Sequence, residues 1–131
     1  ARSVIVVAGA DWHRGVIGIV ASKLVDAFHR PAIVLSIEDG IAHGSCRSIP
    51  GFDMLGALES CAELMTRFGG HRQAAGLTMD AGHISALRRG VNVFADPDHE
   101  DPNAVLLVTQ RGVRSLKNQP ASTRWLKCLA R

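Results

Sequence analysis

The chain has 131 residues, of which 47% are hydrophobic and 21% are charged, values close to those of average globular proteins. This composition excludes a disordered, collagen-like or coiled-coil chain, and the length is that of one domain that folds without disulfides or a structural metal. The formal net charge of +3 is small, so it permits an anionic partner without identifying one.

Several features of the sequence indicate a cytoplasmic setting. The three cysteines, Cys46, Cys61 and Cys128, form no CxxC pair, which fits a reducing compartment better than a disulfide framework. No apolar run approaches the ~20 residues that span a membrane, and no secretory signal opens the chain. We therefore expect a cytoplasmic protein with no membrane partner. Because the chain begins at Ala1 rather than Met, we also expect a piece of a longer protein.

The first part of the chain predicts three strands and one helix. Residues 3–8 and 32–37 are β-branched apolar runs, typical of strands buried on both faces. Between them lies a predicted helix, whose apolar residues recur every three or four positions: Ile17, Val20, Leu24 and Phe28. The turn at residues 38–40 then predicts a third strand over residues 41–45, antiparallel to the second.

The next part predicts a longer helix, a short strand and a short helix. Asp53 is a predicted N-cap, and Gly69 would close the same helix at its other end. The apolar face of this helix would consist of Leu55, Leu58, Cys61, Leu64 or Met65, and Phe68. Residues 74–79 predict the strand, and residues 83–89 predict the helix. Together these elements predict an α/β fold, with helices packed on a mixed β-sheet in a single domain.

The character of the sequence changes after residue 90. Residues 95–103 contain two prolines and four acidic residues, as a linker does. A strand-like run over residues 104–109 precedes a segment, residues 109–131, with six basic residues and no acidic ones. We therefore divide the chain into a domain of residues 1–92 and a linker with a basic tail over residues 93–131.

Three polar segments lie where predicted strands or helices end, which is where α/β proteins usually bind ligands. The first, residues 11–15, leads from a strand into a helix and contains Trp12, His13 and Arg14. A helix N-terminus binds phosphate through its unpaired N–H groups. The alternative is an ordinary loop in which Trp12 packs on the sheet, because no complete phosphate-loop motif is present.

The second polar segment is Gly44-Ser45-Cys46-Arg47-Ser48. Alternation along a strand directs Ser45 and Arg47 to one face and Cys46 to the core. A hydroxyl and a guanidinium on one face can bind the same phosphate, and Ser48 could assist from the adjoining turn. The alternative is a surface arginine in a serine-rich turn.

The third polar segment is Gly69-Gly70-His71-Arg72-Gln73. Two glycines allow a sharp bend that presents His71 from a rigid turn, where an imidazole suits proton transfer, metal binding or a hydrogen bond to phosphate. The alternative is a helix end followed by a solvated His-Arg pair. The sequence has no HxxxH motif, HExxH motif or Asp-rich cluster that would predict a metal site.

Considered together, these segments resemble the DHHA1 domain of RecJ-type single-stranded-DNA exonucleases. The resemblance covers about residues 3–90 and is carried by Trp12-His13 with GVIGIVASKLV (residues 15–25), RPAIVLS (30–36), GSCRSIPGFD (44–53) and FGGHRQAAGL (68–77). RecJ-type enzymes are DHH phosphoesterases, which degrade single-stranded DNA from the 5′ end with a divalent metal. Their metal ligands lie mainly on a separate DHH domain that has no counterpart in this sequence.

The resemblance implies a DHHA1-like fold and a set of substrate-binding residues. By analogy with the family, Ser45 and Arg47 help to bind the terminal 5′ phosphate of the DNA. Residues that would lie next to the scissile phosphate or near the cleft are Gly69, Gly70, His71 and His13, with His71 in an auxiliary catalytic role.

The resemblance also implies partners and a metal. Single-stranded DNA and the DHH catalytic domain of the parent protein would be the partners. Mn²⁺ or Mg²⁺ would bind in the DHH domain, with no cofactor in this chain, and the isolated chain would bind DNA weakly without cutting it. In the parent protein we expect a role in DNA repair and recombination.

Two other functions stay open at this point. The chain could belong to a DHH phosphodiesterase that acts on short oligonucleotides or cyclic dinucleotides. It could also be a stand-alone RNA-binding module, similar to the DHHA1 appendage of alanyl-tRNA synthetases. The segments around Arg47 and Pro31 favour the RecJ type.

Overall fold

The chain folds around a mixed sheet of five strands. The computed structural model describes residues 3–97 together with Val108–Thr109 and Gly112–Val113. The five strands are β1 (Ile5–Ala10), β2 (Ala32–Glu38), β3 (Ile41–Arg47), β4 (Met65–Gly70) and β5 (Ala74–Asp80). Their order across the sheet is β1-β2-β3-β5-β4; β1 and β2 are parallel, and the other neighbours are antiparallel. The predicted mixed sheet is confirmed.

Three α-helices occur among the described residues. Helix α1 (Ile17–Phe28) connects β1 to β2, α2 (Met54–Glu59) lies between β3 and β4, and α3 (Ile84–Ala95) follows β5. Short 3-10 turns over Ala62–Leu64 and Ala81–His83 precede β4 and α3. A separate two-residue ladder pairs β6 (Val108–Thr109) with β7 (Gly112–Val113). No helix in the described part of the chain is long and apolar enough to cross a membrane.

The predicted first helix is confirmed. The apolar positions of α1 that recur at helical spacing include Ile17, Val20 and Leu24, and each is at most 5% exposed. The helix is closed by the next residue, His29, which adopts a left-handed conformation with φ of 56° and donates its N–H to the carbonyl of Val25. Pro31, two residues later, cannot continue a helix.

Two apolar clusters pack on the opposite faces of the sheet. The residues of β1 and β2 alternate between the two clusters, because successive side chains of a strand point to opposite faces. Helix α1 covers one face over β1 and β2, whereas α2 and α3 cover the other face. On the α1 side, the surface of β5 and β4 is only partly covered, and Gly76, Gly69 and Arg67 are exposed there.

The prediction of one long helix from Asp53 to Phe68 is wrong. Asp53 does cap a helix, and its carboxylate accepts a hydrogen bond from Gly56 N at 3.0 Å. That helix ends after six residues, and the chain then enters β4, which contains Phe68 and Gly69. Pairing of β4 with β5 outweighs the local helical periodicity, because it satisfies the backbone along one edge of β4 and packs Met65 and Phe68 against the core.

The shorter helix changes the roles of two predicted positions. Gly69 is a strand residue rather than a helix-closing glycine. The buried residues of α2 are Met54, Ala57 and Leu58, so the predicted apolar position Leu55 lies beside the buried face.

Helix α3 is longer than predicted. It extends from Ile84 to Ala95 instead of over residues 83–89, and therefore continues past the proposed boundary at residue 92. The extension packs on the core through Val91, while Asn92 bonds to the backbone of Val4. Of the predicted strand over residues 104–109, only Val108–Thr109 lies within the described residues, and the basic tail after residue 113 lies outside them.

Candidate functional site

The end of β3 places Ser45 and Arg47 on one face of the sheet. They pair with Val34 and Ala32 of β2, both of which pack on the α1 side. Arg47 Nη1 donates to Ser45 Oγ at 3.1 Å and to the carbonyl of Cys46 at 2.8 Å. The guanidinium is therefore held beside the hydroxyl, as the alternation along the strand predicts.

Cys46 faces the opposite side of the sheet. Its side chain is fully buried in the cluster under α2 and α3. Burial raises the pKa of its thiol to about 12, although the nearby Arg47 charge opposes part of this shift. The thiol is therefore protonated at neutral pH and is not a nucleophile of the site.

Helix α1 contributes a residue to the site that sequence reasoning missed. A Cβ atom at Gly18 would lie 2.9 Å from Arg47 Nη2 and 3.1 Å from Ser45 Oγ. The absence of a side chain at Gly18 lets the guanidinium lie against the helix. The sequence feature that could have pointed to Gly18 is a glycine inside a helical pattern. Such a glycine costs about 1 kcal/mol of stability relative to alanine, which suggests a packing or functional reason for it.

The hairpin between β4 and β5 presents His71 from a constrained turn. Gly70 has φ of 142°, and a Cβ atom there would collide with the backbone of Ala74 and Ala75. The N–H of His71 donates to the carbonyl of Ala74 at 2.7 Å, which closes the hairpin, and the His71 side chain is exposed. These features match the predicted presentation of the imidazole from a sharp bend.

The same hairpin is bonded to the segment that follows Arg47. Ser48 N donates to the carbonyl of Gln73 at 2.9 Å, and Met54 N donates to the carbonyl of Arg72 at 3.0 Å. The loop that carries His71 is thus attached to the end of β3 and to the start of α2. Backbone hydrogen bonds, rather than side-chain contacts, therefore set the position of this loop relative to Arg47.

Strand register brings the two polar segments together across the sheet. Ser45 of β3 pairs with Gly76 of β5, and Gly76 pairs with Gly69 of β4. These three residues form one row on the α1 side. Because neighbouring strands lie about 4.8 Å apart, the row places Ser45 and Gly69 about 10 Å apart with only Gly76 between them.

Two other predicted site residues have hydrogen bonds outside this row. His13 is exposed in the loop between β1 and α1, where its Nδ1 accepts a bond from Gly15 N at 3.1 Å. No hydrogen bond in the described part of the chain joins it to Ser45 or Arg47. Ser48 uses its hydroxyl proton within its own turn, donating to the carbonyl of Phe52 at 2.8 Å. Substrate binding by His13 and Ser48 stays a prediction.

The first polar segment also contains a packing residue. Trp12 is 4% exposed, and its ring occupies the space where Gly9 would otherwise carry a side chain. The hydroxyl of Ser36 in β2 donates to the Trp12 carbonyl and fixes the loop. The interpretation that Trp12 packs on the sheet is confirmed.

The electrostatics of the site favour an anion. Among residues 3–97, no carboxylate pairs with the Arg47 guanidinium, whose hydrogen bonds go to the Ser45 hydroxyl and the Cys46 carbonyl. Within the same residues, no group of three or more His, Cys, Asp or Glu side chains is placed to hold a metal ion. The described residues therefore do not fit a metal site, whereas Arg47 and Ser45 fit a phosphate.

Comparison with known proteins identifies the family. A family model described as the DHHA1 domain matches residues 1–95. The single-stranded-DNA-specific exonuclease RecJ of Bacillus subtilis is 53% identical over 97 residues, a match that covers 72% of this chain and 12% of that protein.

Solved structures agree with this match. The chain is similar to RecJ of Thermus thermophilus in complex with Mg²⁺, with a TM-score of 0.66 and 33% identity over 81% of this chain and 16% of that one. It is also similar to an exonuclease RecJ bound to manganese, with a TM-score of 0.67 and 35% identity over 77% of this chain and 25% of that one. The chain therefore belongs to the DHHA1 domain family, in the form found in RecJ exonucleases.

Proposed function

We propose that this chain is the substrate-binding domain of a RecJ-like 5′-to-3′ single-stranded-DNA exonuclease. Arg47 and Ser45 bind the terminal 5′ phosphate, and the hairpin with Gly69, Gly70 and His71 faces the phosphodiester to be cut. Hydrolysis requires the DHH domain of the parent protein, with Mn²⁺ or Mg²⁺ bound there. The chain spans 12% of the length of its Bacillus subtilis relative, which leaves ample length for such a domain.

The observation that carries this proposal is the unpaired guanidinium of Arg47 beside the Ser45 hydroxyl, at 3.1 Å. A planar guanidinium binds two phosphate oxygens at once, and a hydroxyl donates to a third. A terminal phosphate monoester has more free oxygens and more charge than an internal phosphodiester. A site with several donors at one point therefore favours the end of a strand.

His71 has a supporting role in the proposal. Its exposed imidazole lies beyond Gly70 at the turn of the hairpin. From there it donates a hydrogen bond to a phosphate oxygen and stabilises the charge that develops during hydrolysis. No step of the proposal uses a metal bound by the described residues of this chain.

The test is equilibrium binding of oligonucleotides with and without a 5′ phosphate, measured by fluorescence anisotropy over a salt series. The wild-type chain should prefer the phosphorylated strand, and Arg47→Ala should lose that preference. Hydrogen bonds to charged groups contribute about 1.5–3 kcal/mol, so the loss should be about 10- to 100-fold in Kd.

The matched control is Arg89→Ala. Arg89 is an exposed arginine on α3, which covers the other face of the sheet. Its removal lowers the net charge equally, so it should weaken both oligonucleotides slightly without changing the preference. A wild-type chain indifferent to the 5′ phosphate, or an Arg47→Ala variant that keeps the preference, would contradict the proposal.

A further inference from the structure

The two edge strands of the five-stranded sheet, β1 and β4, differ in how they are protected. β4 carries the exposed, charged Arg67, and its register with β5 shifts between Met65 and Arg67. Charges and bulges on an edge strand discourage pairing with a further strand. β1 has no charged residue and no proline, and its register with β2 is continuous. Folded proteins usually cover an unprotected edge of this kind with another element.

Alternate residues of β1 direct their backbone groups away from β2. The N–H groups of Ile5 and Asp11 donate to backbone carbonyls at or next to the two ends of β2, each at 2.8 Å. Every second residue of a parallel strand bonds to the same neighbour. Val6, Ala8 and Ala10 therefore direct their N–H and C=O groups to the other side. We call these three residues the free edge of β1.

Asn92 of α3 marks where this edge begins. The N–H of Val4 donates to Asn92 Oδ1 at 2.8 Å, and the Val4 carbonyl accepts a hydrogen bond from Asn92 Nδ2 at 3.3 Å. Both backbone groups of Val4 on this side thus have a partner. Within the described part of the chain, no hydrogen bond does the same for Val6 or Ala8, because β1 pairs with β2 alone.

The free edge is nevertheless shielded from water. Val6 is 1% exposed and Ala8 is 9% exposed. Buried backbone N–H and C=O groups nearly always have a partner, since leaving one unpaired costs about as much as a lost hydrogen bond. Helices α1 and α3 pack on the two faces of the sheet here, but the interior of a helix has no unbonded backbone groups to offer. An extended segment beside β1 supplies donors and acceptors at the required spacing.

The strand β6 lies against β1. In the β6–β7 ladder, Thr109 is opposite Gly112 and Val108 is opposite Val113. Only two residues separate the strands, and the residues next to such a turn exchange their backbone hydrogen bonds with each other. The backbone groups of Thr109 are therefore bonded to β7. By alternation, the N–H and C=O of Val108 point away from β7 and are available to a second strand.

We propose that β6 hydrogen-bonds through Val108 to the free edge of β1 and becomes the sixth strand of the sheet. The occupant of this edge is thus a segment of the same chain. The contact joins backbone to backbone, so it depends on the extended conformation of β6 rather than on particular side chains. The inference is independent of the proposed function, because Ser45 and Arg47 lie on β3, two strands away from β1.

The test is hydrogen exchange of individual amides, followed by NMR on the full chain. In the wild type, the amide of Val6 or Ala8, or both, should exchange as slowly as that of Val7, which is bonded to β2. Nuclear Overhauser contacts should also join backbone protons of Val108 to those of Val6 or Ala8. These contacts are measured without any substitution.

Two proline variants separate pairing with β1 from folding of the hairpin. Val108→Pro removes the donor that faces β1 and directs the proline ring at that strand. The protected amide of Val6 or Ala8 should then exchange about tenfold faster, as expected for the loss of one net hydrogen bond. The matched control is Val113→Pro, the same substitution at the paired position of β7. The N–H of Val113 points away from β6, so this variant should keep the protection.

The proposal is wrong if Val6 and Ala8 both exchange like exposed amides in the wild type, or if no contact joins Val108 to β1. It is also wrong if Val108→Pro changes neither amide, or if Val113→Pro has an equal effect. Protection that rises with protein concentration would assign the edge to a second copy of the chain. Should Val108→Pro also speed exchange at Val7, the wild-type contacts decide alone.

Binding of oligonucleotides distinguishes this inference from the proposed function. Val108→Pro should keep the wild-type preference for a 5′ phosphate, since Arg47 is not bonded to β1 or β6. A lost preference in this variant would contradict the placement of β6 at an edge separate from the Arg47 site. A preference absent already in the wild type overturns the proposed function and leaves the exchange result to decide on β6.

Discussion

Replacing Gly18 by alanine should damage phosphate recognition without damaging the fold. The added Cβ atom would lie 2.9 Å from Arg47 Nη2, whereas ordinary contacts begin at 3.4 Å. The guanidinium must therefore move by about 0.5 Å, enough to misalign one bond of a two-bond contact to phosphate. Loss of one bond to a charged group, about 1.5 kcal/mol, corresponds to about a tenfold weaker preference for a 5′ phosphate.

The stability of Gly18→Ala should be equal to or higher than that of the wild type. Gly18 is the second residue of α1, and alanine is the better helix former by up to about 1 kcal/mol. The displaced atoms belong to the end of a flexible side chain, so Arg47 can yield at little cost. Thermal unfolding should therefore show a midpoint equal to or above that of the wild type.

The assay is the anisotropy comparison of phosphorylated and unphosphorylated strands, extended to a double-mutant cycle. In the Arg47→Ala background, Gly18→Ala should have no further effect on the preference, because the group that it displaces is gone. If Gly18→Ala leaves the preference of the wild-type chain intact, or acts equally in both backgrounds, then Gly18 does not position Arg47.

Three further predictions concern the fold. Gly44→Ala brings a methyl group within 2.7 and 2.9 Å of two leucine side chains, so it should lose about 1–3 kcal/mol in urea unfolding. Gly76→Ala, whose methyl group meets only an ordinary contact, should change by less than about 0.5 kcal/mol, and equal losses would contradict the packing argument. Because burial raises the Cys46 pKa from 9.0 to about 12, the folded thiol stays protonated while the unfolded thiol ionises; stability present below pH 9 should fall by up to about 1.4 kcal/mol per pH unit between pH 9 and 12. Cys46→Ala should lack this part of the slope, and identical pH profiles would refute it. Asn92→Leu leaves the N–H and carbonyl of Val4 without their buried partner, so it should lose about 2–4 kcal/mol; a Tm within experimental error of the wild type would show that these bonds are not needed.

The sequence predicts the sheet well where the signal is local. Residues 32–37 and 74–79 are short apolar runs bounded by turn residues, and both are strands. The turn of Asp39 and Gly40, with φ of 52° and 78°, aligns β3 antiparallel to β2 as expected. The alternation that places Ser45 and Arg47 on one face follows from strand geometry alone.

Prediction fails where tertiary pairing decides. Between Asp53 and Phe68, apolar residues recur at a helical spacing, yet β5 offers a pairing edge that becomes available only after the chain folds back. Helix α3 continues to Ala95 because its last turns pack on the core under the sheet, a contact with no local signal. The contacts of Gly18 and Gly76 depend on which elements become neighbours in the fold. The sequence therefore shows a glycine inside each predicted element, but not what lies next to it.

The row of Ser45, Gly76 and Gly69 shows how segments far apart in the chain come to lie side by side. Each residue alone allows an ordinary structural interpretation: a serine on a strand, a glycine in a strand, a glycine before a turn. Pairing of β3 with β5 and of β5 with β4 places them side by side on the face that α1 leaves open. A one-residue slip in either pairing would turn Gly69 or Ser45 to the buried face and destroy the surface. The backbone hydrogen bonds from Ser48 to Gln73 and from Met54 to Arg72 oppose such a slip. The bonds that hold the hairpin in place therefore also hold the row in register.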